Sequence, residues 1–64
     1  MDSKEDMMKL TIGNNIRTLR RKADLTQEEL ADRSELSKGF ISQLENDVTS
    51  PSISTLEDIL QCLG

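Results

Sequence analysis

The chain has 64 residues, a net charge of −4, one cysteine and no histidine. A chain of this length forms one domain, with too little interior for a deep catalytic cleft beside a core. One cysteine excludes an internal disulfide and a multi-cysteine zinc site. The absence of histidine removes a common zinc ligand and the usual general base of a catalytic triad. We therefore expect no enzymatic activity, no metal and no cofactor. No apolar run is long enough to span a membrane and the charged N-terminus lacks a secretory signal, so we expect a cytoplasmic protein.

The negative net charge is unusual for a nucleic-acid-binding protein, which normally carries a basic surface. The basic residues are clustered, however, because Arg17, Arg20, Arg21 and Lys22 all lie in one short segment. Only the surface that faces the phosphates contributes to binding, so the placement of charge matters more than its sum. On charge alone, this cluster fits a phosphate-facing surface and a solvated helix face equally well.

The spacing of apolar residues predicts an all-α fold, a compact bundle of four to five short helices. We expect a flexible arm over residues 1–8 and one domain over residues 9–64. The first helix is predicted over residues 10–22, with an inward stripe of Ile12, Ile16, Leu19 and Ala23. The last helix is predicted over residues 52–63, ending at Gly64. Its expected apolar face consists of Ile53, Leu56, Leu60 and Leu63, widened by Ile59.

Two short helices with clear start signals are predicted between these. Thr26 is an N-cap, and Glu29 completes a capping box for a helix that ends near Ser34. Ser37 caps the next helix, which turns Ile41 and Leu44 inward. Only Glu35 and Leu36 separate the end of the first of these helices from the cap of the second. A connection of two residues forces the helices to cross steeply, which is helix-turn-helix geometry.

Two further side chains are expected to serve packing. Phe40 is expected to pack rather than to contact a thymine methyl group, and Cys62 is expected to pack rather than to act as a redox sensor.

The outward face of the third helix carries residue types that suit base recognition. Gln can bond N6 and N7 of adenine in the major groove, and Lys can bond O6 and N7 of guanine, so Gln43 and Lys38 are candidates. Gly39 and Ser42 are small enough for close approach to base edges. Gln27 lies in the first turn of the second helix, where free N–H groups attract a phosphate, although two glutamates follow it. The alternative interpretation is an ordinary solvated face.

Three segments together resemble the Cro and lambda-repressor-like (XRE) helix-turn-helix family. They are residues 25–31 (LTQEELA), residues 36–46 (LSKGFISQLEN), and residues 50–53 (SPSI) followed by Leu56. The resemblance covers residues 10–64 and is greatest to the subgroup whose DNA-binding domain precedes a cupin sensor domain. It implies sequence-specific binding of double-stranded DNA by a recognition helix over about residues 38–46. It also implies a homodimer on a palindromic operator, a role in transcription regulation, and a C-terminal cupin domain in a longer parent protein.

The resemblance also implies roles for individual residues. Base reading falls to Ser37, Lys38, Gly39, Ser42 and Gln43. Phosphate contact falls to Gln27 and Asn46, and Arg17, Arg21 and Lys22 are further candidates for it. Arg20 and Glu45 match a buried salt bridge between the first and third helices, so Arg20 is structural. The acidic charge keeps open an alternative function, a protein-interaction or antitoxin-like module with weak or no DNA binding.

This sequence departs from the family pattern at three turns between helices. Many relatives have glycine where this chain has Asp24, Glu35 and Asp47. Glycine suits such turns because it reaches positive φ at little cost. We therefore predict a positive φ at Glu35. We also expect modest stability, and modest non-specific DNA affinity because Asp47 adds negative charge near the phosphates.

Overall fold

Four α-helices make up the fold of residues 11–64, the part of the chain that the computed structural model describes. They are α1 (Ile12–Lys22), α2 (Gln27–Ser34), α3 (Lys38–Glu45) and α4 (Ile53–Leu63). No strand occurs in this range, so the prediction of an all-α bundle is confirmed. The predicted arm at residues 1–8 lies outside the described residues. None of the helices between residues 11 and 64 is both long and apolar enough to cross a bilayer.

Each helix begins after a Ser or Thr that caps its first turn. The side-chain oxygens of Thr11, Thr26, Ser37 and Ser52 each accept a hydrogen bond from the backbone N–H three residues later. The predicted capping box at α2 is present, because Glu29 N donates to Thr26 Oγ1 at 3.0 Å and Thr26 N donates to Glu29 Oε1 at 2.8 Å. These local signals place the four helix starts.

The first three helices end in turns with a left-handed residue. φ is 62° at Asp24, 59° at Glu35 and 59° at Asp47, which confirms the prediction for Glu35. In each turn the next N–H donates to a carbonyl five residues back, over 3.1 Å for Leu25 and 2.8 Å for Leu36. This pattern is a Schellman motif, in which glycine is the usual left-handed residue. All three turns of this chain use an acidic residue instead, which adds backbone strain to the fold.

Six fully buried side chains form the core: Ile16, Leu30, Ala31, Ile41, Leu44 and Ile59. α2 packs against α3 and α4, and α1 packs against the same two helices. Phe40 lies partly buried against this core, as expected for a packing role, and Cys62 is also partly buried there. Residues from every helix therefore meet in one small interior, which holds α2 and α3 in a fixed relation.

The inward faces of α1 and α4 differ from the predicted stripes. On α1, Ile16 is buried with Gly13 and Arg20, whereas Ile12 is 48% exposed and Leu19 is 39% exposed. Ala23 is exposed as well. α1 is rotated because its glycine and its arginine, rather than its flanking aliphatic residues, face α3.

On α4, Ile59 is the centre of the buried face rather than its margin. Ile53 is 79% exposed and Leu60 is 42% exposed, contrary to the predicted face. The helix is turned toward α2, where Cys62 Sγ donates to the carbonyl of Arg33 at 3.2 Å. Leu56 and Leu63 remain partly buried against the core, as predicted.

Candidate nucleic-acid interface

The outward face of α3 is exposed and carries no acidic side chain from its cap to Gln43. Lys38, Gly39 and Gln43 are exposed and Ser42 is partly exposed. Ser37, the N-cap, uses its Oγ to accept a hydrogen bond from Phe40 N at 3.1 Å, which leaves its hydroxyl hydrogen free to donate elsewhere. All five predicted base-reading residues therefore lie at the N-cap of α3 or at exposed and partly exposed positions within it.

Gly39 has no packing reason to be glycine. A Cβ built at this position would meet no heavy atom within 4 Å. Its φ is not positive, so the backbone does not require glycine either. Glycine within a helix costs about 0.5–1 kcal/mol relative to alanine. Gly39 therefore leaves the outer surface of α3 open to close approach at this position.

Gln27 is held beside this surface by Glu45. The Nε2 of Gln27 donates to Oε1 of Glu45 at 3.1 Å, which ties the first turn of α2 to the last turn of α3. A carboxamide nitrogen carries two hydrogens, so one donor of Gln27 remains for an external acceptor. Gln27 is partly exposed, which leaves it accessible at the start of α2.

Glu45 is the buried centre of the polar contacts behind α3. Its side chain is fully buried and pairs with Arg20, whose Nε lies 2.6 Å from Oε2, as the resemblance implied. Arg20 also donates to the carbonyl of Leu25 at 2.8 Å. Burial raises the pKa of the Glu45 carboxyl, but hydrogen bonds from Arg20 and Gln27 outweigh it and hold that pKa below its ordinary value. Glu45 is therefore a charged structural residue that links three helices.

Arg17 also reaches the end of α3. Its Nη2 donates to Oδ1 of Asn46 at 2.9 Å and to the carbonyl of Glu45 at 3.3 Å. The Nδ2 of Asn46 donates in turn to the carbonyl of Ser42 at 2.9 Å. The structure thus connects three predicted DNA-contacting residues, Arg17, Asn46 and Ser42. Arg21 and Lys22, the other two basic candidates, are exposed at the end of α1.

Gly13 and Asp47 form a contact that no local sequence pattern predicts. Gly13 N donates to Oδ1 of Asp47 at 3.2 Å, so the carboxylate that follows α3 accepts from the first turn of α1. A Cβ on Gly13 would lie 2.1 Å from the carbonyl oxygen of Leu44. The glycine therefore allows α1 to approach the end of α3. The two residues are 34 positions apart, and only the unusual aspartate at a glycine position signalled a special role.

The fold and this surface together define a class of protein. Two short capped helices, α2 and α3, are joined by a tight left-handed turn, and the second presents a polar face free of acidic groups. This is the architecture of a helix-turn-helix domain, in which the second helix is the recognition helix.

The chain belongs to the XRE-type helix-turn-helix family, whose helix-turn-helix model matches residues 16–64. It is 38% identical over 55 residues to the immunity repressor protein of Bacillus phage phi105. It is 44% identical over 59 residues to y4dJ, named an uncharacterized HTH-type transcriptional regulator, from Sinorhizobium fredii strain NBRC 101917 / NGR234. These alignments cover 86% and 92% of this chain. The chain spans 38% of the length of the phage protein and 75% of that of y4dJ, and no solved structure matches it.

Proposed function

We propose that this domain binds double-stranded DNA sequence-specifically, with α3 in the major groove, as the DNA-binding part of a transcription regulator. The observation that carries the proposal is the outward face of α3, which is exposed and free of acidic groups. At Gly39 this face has no side chain, and no other heavy atom lies within 4 Å of where a Cβ would be. A helix needs close contact with base edges to read them, and Gly39 permits that contact. The names of the two relatives, a repressor and a transcriptional regulator, support the same role.

The base-reading role falls to the residues that point away from the core near the start and middle of α3. Lys38 and Gln43 have the donors and acceptors that distinguish guanine and adenine in the major groove. Ser37 and Ser42 have hydroxyl groups that can donate to either purine, and Gly39 clears the space between them. Each of these side chains is exposed or partly exposed, which supports the assignment.

The phosphate-contacting role falls to residues at the margins of α3. Gln27 retains one free donor in the first turn of α2, where the helix dipole favours an anion. Asn46 lies just beyond the last turn of α3, and Arg21 and Lys22 are exposed at the end of α1. Glu28 and Glu29 oppose the anion site at α2, so we expect the total phosphate contribution to be modest. Such contacts orient the domain without carrying sequence information.

The same role favours a homodimer on a palindromic operator, because two-fold symmetric proteins match two-fold symmetric sites about one helical turn apart. A cupin sensor domain in a longer parent protein, which the sequence resemblance implies, is part of the same proposal. A cytoplasmic location follows from the need to share a compartment with the DNA.

Selection of bound sequences from a random pool of duplex DNA at low salt tests the proposal. We expect an enriched motif of a few base pairs, with two inverted copies if the domain binds as a dimer. The same pool in single-stranded form serves as the control and should yield no motif. Retention of the pool without enrichment, or no retention at all, would favour the alternative of a protein-interaction module.

A further inference from the structure

Arg17 occupies a different position from the other basic residues of α1. Its guanidinium lies against the end of α3, where Nη2 donates to Oδ1 of Asn46 and to the carbonyl of Glu45, at 2.9 and 3.3 Å. Its Nε lies 3.5 Å from Oε1 of Glu45, and its side chain is 31% exposed. Arg21, four residues later on the same helix, is exposed. Two of the three guanidinium nitrogens of Arg17 thus face α3.

The contact with Asn46 fixes which way the amide of that residue faces. An arginine only donates hydrogen bonds, so it accepts nothing from Nδ2 and selects the oxygen of the amide. Nδ2 is then directed at Ser42, with its carbonyl at 2.9 Å and its Oγ at 3.5 Å. The amide therefore directs its oxygen at α1 and one hydrogen of Nδ2 at the carbonyl of Ser42.

The contact of Arg17 with the carbonyl of Glu45 caps the C-terminal end of α3. The last four carbonyls of an α-helix have no partner within the helix, and the carbonyl of Glu45 is one of them. A guanidinium at this point satisfies the carbonyl and places positive charge at the negative end of the helix dipole. Arg17 therefore fixes the backbone end and the neighbouring amide of α3 together.

We propose that Arg17 is a positioning residue for sequence reading, holding Asn46 and through it Ser42, rather than a phosphate contact. This inference rests on the proposed function of α3. Arg17 sets the orientation of the Asn46 amide, and that amide contacts the carbonyl of Ser42 at 2.9 Å and its hydroxyl at 3.5 Å, on the exposed face of α3. A phosphate contact and a positioning residue affect binding differently, because only the first changes the number of counterions released.

The first experiment needs no DNA. The free energy of unfolding of the full chain is measured in urea for wild type, Arg17→Met, Asn46→Ala and the double variant. Direct coupling predicts that the two single losses sum to more than the loss of the double variant. Additive losses would overturn the inference. The same cycle with Arg21→Met in place of Arg17→Met is the control and should be additive.

The second experiment uses the duplex that the wild-type chain selects from a random pool, together with its single-base variants. Arg17→Met should lower discrimination at the base pair next to Ser42 about fivefold, the low end of a good base contact, and leave the salt dependence unchanged. Arg17→Lys keeps the charge but not the planar donor geometry, so it should show the same loss. Arg21→Met is the matched control, which should lower the slope of log K against log[salt] by about 0.9 and leave base preferences unchanged.

A lowered salt slope with intact base preferences in Arg17→Met, restored by Arg17→Lys, would overturn the positioning role in favour of a phosphate contact. If the wild-type chain selected no duplex, the proposed function would be overturned, and with it the role of Arg17 in sequence reading. The unfolding cycle still tests the Arg17–Asn46 contact in that case, so the two failures are distinguishable.

Discussion

Arg20 and Glu45 form a two-bond ion pair inside the domain, with Nε of Arg20 2.6 Å from Oε2 and Nη2 of Arg20 3.1 Å from Oε1. Both residues are buried, at 8% and 2% exposure. The pair joins α1 to α3 and leaves Oε1 in place to receive Gln27. It therefore connects the stability of the fold to the geometry of the candidate DNA-binding surface.

Removing either partner of this pair should largely unfold the domain. Arg20→Met or Glu45→Gln leaves a buried charge without its partner, at a cost of roughly 3–5 kcal/mol. A domain of 64 residues has little more stability than that to lose. Circular dichroism melting measures the effect, with Arg21→Met as an exposed control on the same helix. An unchanged melting temperature in both buried variants would contradict this account of the pair.

The lowered pKa of Glu45 predicts a loss of stability in acid. Its pKa in the folded state lies below its value in the unfolded chain, so its contribution is complete above the unfolded pKa of about 4.3 and is lost as the pH falls through the folded pKa. Urea unfolding at a series of pH values measures this loss. Hydrogen bonds with Thr26 also lower the pKa of Glu29, so Glu29→Gln is the control. Stability in that variant that stayed constant down to pH 3 would refute the prediction.

Glu35 and Asp47 share a positive φ, but glycine should be more favourable for stability at Glu35 than at Asp47. No side-chain hydrogen bond holds Glu35 within residues 11–64, so Glu35→Gly should stabilise the domain by about 1 kcal/mol through relief of left-handed strain. Asp47→Gly relieves the same strain but loses the hydrogen bond from Gly13 N, a helix-capping contact of roughly 0.5–2 kcal/mol. Chemical denaturation of both variants checks the order. Equal gains would show that the Gly13–Asp47 contact contributes nothing.

The two helical glycines should respond oppositely to alanine. Gly13→Ala places a Cβ against the backbone of Leu44 and Glu45 and should cost about 1–3 kcal/mol, as overpacking does. Gly39→Ala meets open space and should stabilise the domain by about 0.5–1 kcal/mol while weakening binding to the selected duplex. Paired denaturation and binding titrations test both. Unimpaired DNA binding by Gly39→Ala would remove the argument that this glycine admits base edges.

The sequence predicted the starts of α2 and α3 and the turns between helices because their signals are local, whereas the caps Thr11 and Ser52 were not predicted. A cap and its partner are three residues apart, and the acidic residues at glycine positions marked the left-handed turns. The burial of α1 and α4 was predicted less well. The apolar spacing of α1 admitted several rotations of the helix, and the close approach of Gly13 to α3 selected one that leaves Ile12 and Leu19 exposed.

The candidate site also combines features that local sequence patterns predict with contacts that they do not. The exposed face of α3 followed from helical periodicity once Ser37 was recognised as a cap. The contacts behind it, Gly13 with Asp47 and Arg17 with Asn46, join residues 34 and 29 positions apart. No local pattern carries such pairs, since they depend on how α1 packs against α3.

The most direct test of base reading by α3 compares two glutamine variants on the same random duplex pool. Gln43→Ala should flatten the preference at one base position, because a good bidentate base contact contributes roughly 1–3 kcal/mol of discrimination. Gln27→Ala should lower affinity for all sequences about equally and leave the selected motif unchanged. Folding of both variants is verified at the binding temperature, since Gln27 also donates to Glu45. The same uniform loss in both variants, with the wild-type motif intact, would contradict the assignment of sequence reading to this face of α3.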